Sequence, residues 1–320
     1  MNVRQVIPRD AIPGIDSPEF DEAHFGDPDD RVIVVEASPP RAYPLRILHY
    51  HEIVNDDVGA DDPEPIAVTW CPLCGSAIVY DRRIDGRTLT FGVSGKLADD
   101  DLVMYDRETD SEWKQSSGKA IAGEYEGKRL HVRPGAIVSW TTFRERYPNG
   151  VVLQPADAES EAASDSDDPE PIDYDEKPYD DYFQSEGFGL DAHRGSESRQ
   201  WDRDDLEPKT VVLGIEVADE AVGFPLPRIR ENGGVVTASV GGTDAVVFAT
   251  DEGVHAFENP GYDFEPDDSG TFAADGTTWN GATGDATDGR RLERLPARRL
   301  FAFAWQDDHG PNAFYAPERR

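Results

Sequence analysis

Two stretches of the chain, about residues 30–140 and about residues 210–305, match each other in order and spacing. This internal repeat constrains the fold more than any other feature of the sequence. The matched segments, in order, are 32–36 with 212–216, 42–45 with 223–226, 67–70 with 245–248, Trp113 with Trp279, Gly118 with Gly284, and 127–130 with 289–292. Since chance rarely preserves such an order, the sequence predicts two half-domains of similar topology that arose by duplication.

Short apolar runs rich in Val, Ile, Phe and Tyr recur through both halves. Gly, Pro and Asp turns separate them at close spacing, which is typical of β structure. The runs are 31–36, 66–70, 77–80, 88–91, 102–105, 211–215, 245–248 and 300–305. Helical periodicity is scarce; its clearest example is 139–147, with Ser139 as the candidate N-cap. The sequence therefore predicts a mainly β (β-rich α+β) fold, with few short helices, one or two at most.

The repeats divide the chain into four parts. Residues 1–30 form an N-terminal extension, and residues 31–154 form the first β repeat. Residues 155–209 are an acidic connector that we expect to be partly disordered, because 156–161 and 164–168 carry too little apolar surface to order themselves. Its segment 177–183 is rich in aromatic residues and is expected to pack against a repeat. Residues 210–320 form the second β repeat, which has no cysteine.

The charge of the chain limits its partners. Sixty-five acidic residues against thirty-one basic ones give a net charge of -34. A phosphate backbone would be repelled, so we expect no nucleic-acid partner. The sequence has no apolar run near the roughly 18 residues that cross a bilayer, and Pro8 and Pro13 interrupt the position of a signal core. A cytoplasmic location without membrane association is the default expectation.

The acidic surface also leads to a prediction about salt. Only six residues are Lys, and an acidic, Lys-poor surface is typical of proteins from halophilic archaea. At high ionic strength a Debye length of about 3 Å screens the self-repulsion. We therefore expect the fold to loosen on dialysis into dilute buffer, measured by circular dichroism. An unchanged spectrum would contradict this expectation.

The two cysteines of the chain lie together in Cys71-Pro72-Leu73-Cys74-Gly75 of the first repeat. The second repeat has 249–253 at that place, so the special chemistry falls on the first half. Two thiols at this spacing form a tight turn that can direct both sulfurs at one metal ion, or close a redox disulfide. The motif leads into an expected strand rather than a helix, which weakens a thioredoxin-like role.

Two cysteines are half of a tetrahedral set, so further ligands must come from elsewhere. The nearest candidates are His49 and His51, which alternation would place on the same face of an extended strand, or simply in solvent. Glu52, Asn55 and Asp56 follow and could accept a hydrogen bond from the second ring nitrogen. Met104 would suit a soft ion such as Cu(I), or else fill the core. The expected cofactor is one ion of zinc, copper or iron.

A few polar residues form a weaker candidate site without metal. Asp106, Glu112 and Gln115 lie close to Trp113 and could form a set of carboxylates and an amide in a pocket. In a chain this acidic, most carboxylates are surface groups. The segment 91–95 contains Gly92, Ser94 and Gly95 and predicts a close approach of the backbone to the cysteine turn or to a ligand.

Several motifs occur in a fixed order along nearly the whole chain: 7–16, 49–56, 71–75, 91–95, 104–107, 118–123, Pro178-Tyr179 and Lys209. In these segments the chain resembles the domain of unknown function 3179 (DUF3179) family of bacteria and archaea. The family pattern falls on His49, Asn55, Asp56, Cys71, Cys74, Gly92, Ser94, Gly95, Met104, Asp106, Arg107, Trp113, Gln115 and Gly118. The chain departs from the pattern at 98–100 and at Glu112. The resemblance implies no established activity.

Three hypotheses follow for the function. The leading one is a metal-binding or thiol-redox protein with Cys71 and Cys74 at its centre, completed by His49 or His51 and by Met104. The second is a binding or scaffold module in which the cysteine turn is structural. The third is an enzyme that uses Asp106, Gln115 and Ser94 without metal. Whether the protein is an enzyme stays open at this point.

Overall fold

The computed structural model describes residues 1–60, 62–164, 168–196 and 199–317. The elements in chain order are β1 Val3–Gln5, β2 Phe20–Asp21, β3 Arg31–Val35, β4 Arg41–Pro44, α1 Leu45–His51, β5 Ile53–Val58, β6 Glu64–Cys71, β7 Ser76–Asp81, β8 Arg83–Ile84, β9 Arg87–Thr88, β10 Phe91–Ala98, β11 Asp101–Asp106, β12 Glu112–Lys114, β13 Lys119–Ala122, β14 Val132–Arg133, β15 Ala136–Ser139, α2 Trp140–Arg146, β16 Val151–Leu153, β17 Glu159–Ser160, a 3-10 turn Glu161–Ala163, β18 Glu170–Pro171, α3 Asp180–Gln184 and α4 Gly189–His193 in the first part.

The chain continues with β19 Val211–Val217, β20 Glu220–Pro225, α5 Leu226–Glu231, β21 Val235–Val240, β22 Thr243–Thr250, β23 Gly253–Glu258, β24 Glu265–Pro266, β25 Thr271–Ala274, β26 Thr277–Asn280, β27 Arg298–Phe301 and α6 Ala302–His309.

The predicted mainly β fold is therefore confirmed. Six short α-helices occur among these residues, so the expectation of one or two at most was wrong. Most of them are five to seven residues long, too short to show a repeating helical pattern in the sequence.

The two halves run through the same order of elements. In the first half the order is β3, β4, α1, β5, β6 and β7, and in the second it is β19, β20, α5, β21, β22 and β23. A strand and a helix end each half, β15 with α2 and β27 with α6. Strand β15 pairs with β3, and β27 pairs with β19, both antiparallel. This shared order agrees with a duplicated fold, while common descent of the halves stays a prediction.

Strand β27 joins the halves into one sheet. Arg299 of β27 pairs with Ala77 of β7, which gives the strand order β20-β19-β27-β7-β6-β5, with β14 also on β7. A second sheet, β1-β10-β11-β12-β13, lies in the first half, and β15-β3-β4-β16-β2 forms a third. The remaining sheets are β21-β22-β23, β24-β25-β26, β17-β18 and β8-β9.

The largest hydrophobic cluster lies where the cysteine turn meets the end of the second half. It contains Cys71 and Cys74 together with Phe303 and Trp305 of α6. Trp305 packs directly on the backbone of β19 and β20, because a Cβ atom at Gly214 would lie 2.0 Å from its ring and one at Gly223 would lie 2.4 Å from it. The first-half site is therefore built against residues of the second half.

The strand expected around His49 and His51 was wrong, because these residues belong to helix α1. The buried residues of α1 have helical spacing: Ile47, Leu48, Tyr50 and His51. The alternate positions of the two histidines suggested a strand instead. A second correction concerns 300–305: only its start belongs to β27, and the rest begins α6. The predicted helix near 139–147 is present as α2, and the Ser139 side chain accepts a hydrogen bond from the Thr142 N–H as its N-cap.

The acidic connector carries short elements from β17 to α4, and residues 165–167 lie outside the described part of the chain. Its aromatic segment packs on the first repeat as expected, since Tyr179 and Tyr182 are buried and belong to the same cluster as the cysteines. No helix among the described residues is long and apolar enough to span a membrane.

Candidate metal centre

The cysteine turn connects two central strands. Strand β6 ends at Cys71 and β7 begins at Ser76, and the N–H of Gly75 closes the turn on the carbonyl of Pro72 at 3.2 Å. Gly75 has a φ of 55°, and a Cβ there would lie 2.6 Å from the ring of Phe301. A glycine is therefore needed both for the turn and for its packing. Both cysteines are free thiols on the buried side.

Asp101 completes a cluster of three ligand atoms with these thiols. The two sulfurs and one carboxylate oxygen of Asp101 all lie within 4.8 Å of one another, and each of the three residues is at most 1% exposed. Asp101 is the first residue of β11 and follows a turn in which Asp99 and Asp100 have positive φ. The predicted cysteine pair is therefore joined by a carboxylate that the sequence analysis did not select.

The Asp101 carboxylate is only half satisfied. Its Oδ2 accepts a hydrogen bond from the Ser116 N–H at 2.8 Å, whereas its buried Oδ1 has no partner in the described part of the chain. Burial raises the pKa of Asp101 to about 6, although Lys114 opposes the shift. A buried oxygen without a partner is costly. This oxygen is therefore free to coordinate a cation.

Burial also governs the thiol chemistry. It raises the pKa of Cys74 well above its usual range, and the proximity of Cys71 and Asp101 acts in the same direction. The Cys74 thiol therefore keeps its proton and donates a hydrogen bond to the Asp100 carbonyl at 3.4 Å. Because a thiolate is the metal ligand and the nucleophile, burial disfavours the reactive form of Cys74.

The connector covers the turn from outside. The Tyr182 hydroxyl donates to the Leu73 carbonyl at 2.6 Å, and the Gly189 N–H donates to the same hydroxyl at 3.0 Å. Beneath the turn, the amide of Gln115 donates to Thr69 Oγ1 at 2.8 Å and accepts from the Ser76 hydroxyl. The predicted residue Gln115 therefore fixes the two strands that carry the cysteines.

The two predicted histidines have other partners and are not members of the three-residue cluster. His49 Nδ1 accepts from the Trp70 indole at 3.2 Å, and burial, followed by Arg46, lowers the pKa of His49 to about 4. His51 uses both ring nitrogens, with the Pro13 carbonyl at 2.7 Å and the Tyr174 hydroxyl at 2.6 Å. Met104 is fully buried in the same hydrophobic cluster as the cysteines.

The candidates for chemistry without metal serve the packing of the second sheet. Asp106 accepts from the Trp113 indole at 2.9 Å and from the Thr109 N–H at 2.7 Å. The Ser94 hydroxyl donates to the Val103 carbonyl. Both are buried in these contacts, which stabilise the edge of β11 and the bulge of β10.

Among the remaining predicted residues, Asn55 and Arg107 join the N-terminal extension to this sheet. The Asn55 amide donates to the Phe91 carbonyl at 2.8 Å and to Asp16 at 2.9 Å, and Arg107 pairs with Asp16. Asp56 pairs with Arg41. Close backbone approach explains the two glycines of 91–95, because a Cβ at Gly92 would lie 2.6 Å from Tyr105, and one at Gly95 would lie 2.2 Å from the Ile7 carbonyl.

A cleft of about 650 Å³ lies beside the cluster and is lined by Leu73 and Leu102, the chain neighbours of Cys74 and Asp101. Glu52 and Tyr179 also line it. The pKa of Glu52 is raised to about 8, mainly by burial and to a smaller extent by repulsion from Glu161 and Asp101. The sequence analysis considered Glu52 only as a hydrogen-bond acceptor for a histidine, and its position at the end of α1, with a φ of 57°, depends on the helix that was not foreseen.

Comparison with known proteins gives one match. No curated protein and no solved structure matches the chain significantly. The model of one family, described as protein of unknown function (DUF3179), matches residues 9–313. The match spans both halves and the cysteine turn, as the resemblance implied. The chain therefore belongs to the DUF3179 family.

Proposed function

We propose that the protein binds one metal ion, best fitted by zinc, through Cys71, Cys74 and Asp101. The observation that carries this proposal is the buried, unpartnered Oδ1 of Asp101, in a residue whose ligand atom groups with the two thiol sulfurs within 4.8 Å. Such a set is costly without a cation, because one buried carboxylate oxygen is left without a hydrogen-bond donor. A divalent ion offsets two of the three negative charges that the two thiolates and the carboxylate carry.

The donor types favour zinc over copper. Zinc accepts thiolate sulfur and carboxylate oxygen together, whereas Cu(I) prefers soft ligands only. Three protein ligands leave one tetrahedral position for water or substrate, which is the pattern of catalytic zinc sites. The cleft beside Leu73 and Leu102 gives such a ligand a place to enter. Glu52 is then the carboxyl group of this cleft that keeps its proton at neutral pH.

Thiol exchange is the second reading of the cysteine pair, and burial disfavours it. A redox-active thiol needs exposure and a lowered pKa, whereas both cysteines are buried and the pKa of Cys74 is raised. Strand β7, rather than a helix N-terminus, follows the pair. A structural turn without metal is the third reading and is separated by the experiment below.

Metal content tests the proposal. Protein purified in high salt without chelator is expected to carry about one equivalent of zinc by elemental analysis. The Cys71→Ser/Cys74→Ser variant should carry none. Loss of an outer-shell partner alone weakens metal binding roughly 10–100-fold. The Asp101→Asn variant should therefore bind zinc at least that much more weakly than the wild type, measured by competition with a chromophoric chelator.

Asp106→Asn is the matched control, because Asp106 is a buried carboxylate at the opposite end of the same strand. It should keep the wild-type metal content. Folded, metal-free wild-type protein with two titratable thiols would overturn the proposal and leave the redox or scaffold role. Equal metal loss in Asp101→Asn and Asp106→Asn would show that general destabilisation, rather than ligation, controls the metal content.

A further inference from the structure

A cavity of about 120 Å³ lies at the junction of the two halves. The first half contributes Ala77, Val79 and Ile137, and the second contributes His255 and Arg299. The pairing of β27 with β7 closes it on one side. Its wall is mostly aliphatic, so its few polar groups decide what it can hold.

His255 is the polar group at the centre of the argument. It is 2% exposed, and neither of its ring nitrogens has a hydrogen-bond partner among the residues that the structure describes. Burial lowers the pKa of His255 well below its usual range, and Arg294, Arg31 and Arg146 lower it further. The ring is therefore neutral and offers one N–H donor with nothing to receive it.

The charged groups around the cavity do not balance. Arg31 pairs with Glu252 at 2.9 Å, and Arg294 lies 3.4 Å from Glu36. Arg299 donates to the Gly75 carbonyl and lies beside the rings of Trp70 and Phe301. No carboxylate in the described chain forms an ion pair with Arg299, and burial followed by Arg31 lowers its pKa to about 10. A positive charge is left over inside a protein whose net charge is -34.

We propose that this cavity is a binding site for a small inorganic anion, with His255 and Arg299 as its donors. An anion accepts a hydrogen bond from the imidazole N–H and offsets the excess positive charge, whereas water does only the first. The volume is well above the roughly 10–15 Å³ that a single water needs. It suits chloride with water, or a phosphate, and it is too small for an extended organic ligand. Bound there, the anion links the two halves.

The cavity adjoins an open cleft. Arg31, Leu45 and Arg299 line both this cavity and an open cleft of about 490 Å³. The anion would enter past these side chains from the cleft. Arg299 also holds the Gly75 carbonyl of the cysteine turn, so the anion site and the candidate metal centre share one contact although neither requires the other.

Thermal unfolding at constant ionic strength tests the site. Chloride is substituted stepwise for gluconate, which is too large for the cavity, and inorganic phosphate is substituted in a parallel series. A ligand that binds the folded state raises the unfolding midpoint as its concentration rises above its dissociation constant. We expect a rise with one of the two anions in the wild type, and its loss in Arg299→Gln and in His255→Phe.

Arg87→Gln removes one exposed arginine elsewhere and should retain the wild-type rise. In parallel, bromide-soaked crystals of the wild-type protein should show an anomalous peak next to His255, a readout that needs no variant to fold. The proposal is overturned if bromide is absent from the cavity and phosphate gives no rise. It is also overturned if the rise is the same in Arg299→Gln, His255→Phe and Arg87→Gln.

Discussion

The Lys114→Met variant is expected to lose about 3–5 kcal/mol of unfolding free energy, the usual cost of removing one partner from a buried ion pair. Lys114 Nζ lies 2.7 Å from Asp308 Oδ1, and the two side chains are only 5% and 9% exposed. Burial alone would lower the pKa of Lys114, but Asp308 and Asp101 together raise it above its usual range. Without the ammonium group, two buried carboxylates would face each other uncompensated.

Urea unfolding at fixed salt, followed by circular dichroism, measures this loss. Lys96→Met is the matched control, because Lys96 also pairs with one carboxylate, Glu112, but is 32% exposed. Its pair should contribute no more than about 1 kcal/mol. Adding Asp308→Asn to Lys114→Met should restore part of the stability, since it removes one unpaired charge. Equal losses in Lys114→Met and Lys96→Met would show that burial of the pair has no energetic weight.

The mainly β class was predictable because several of the longer strands carry their own signal. The run 77–80 is a β-branched and aromatic segment between turn residues, and it forms β7. The repeat correctly anticipated that β6 and β22 would occupy equivalent places in the order of elements. The failure at Leu45–His51 has a physical reason: seven residues span two helical turns, and two histidines at alternate positions fit a strand equally well.

The candidate site was only half predictable. Cys71 and Cys74 stand out because they are close in sequence, which fixes their distance locally. Asp101 reaches them because the hairpin of β10 and β11 brings its carboxylate to the turn. Its position beside the thiols depends on tertiary packing, and an acidic residue in a chain with sixty-five of them carries no signal. The role of Lys114 could not be predicted for the same reason, since its ion-pair partner Asp308 is far away in the sequence.

Glu52 offers a second large effect, because its carboxyl is placed where water does not reach it easily. The residue is 7% exposed and ends α1 with a positive φ. Burial, followed by Glu161 and Asp101, raises its pKa from 4.5 to about 8. At neutral pH the folded protein therefore holds a proton on Glu52 that the unfolded chain releases. Folding and protonation of this group are linked.

The sign of the linkage is fixed by these values. Below pH 4.5 both states are protonated, and the group has no effect on stability. Between pH 4.5 and about 8 the native state binds more protons than the unfolded state, so its stability falls by about 1.4 kcal/mol per pH unit. The total loss is on the order of 5 kcal/mol, and it is complete once the folded group ionises.

The Glu52→Gln variant should abolish this loss, because the amide has the same shape and does not titrate. Its unfolding free energy relative to the wild type is expected to rise steadily from pH 4.5 to 8 and to level off above that, measured by urea unfolding at fixed salt. Glu126→Gln removes an exposed carboxylate and should follow the wild-type profile throughout. A constant difference between Glu52→Gln and wild type at every pH would show that the Glu52 carboxyl ionises normally in the fold, and would remove it as a protonated group of the cleft beside Cys74 and Asp101.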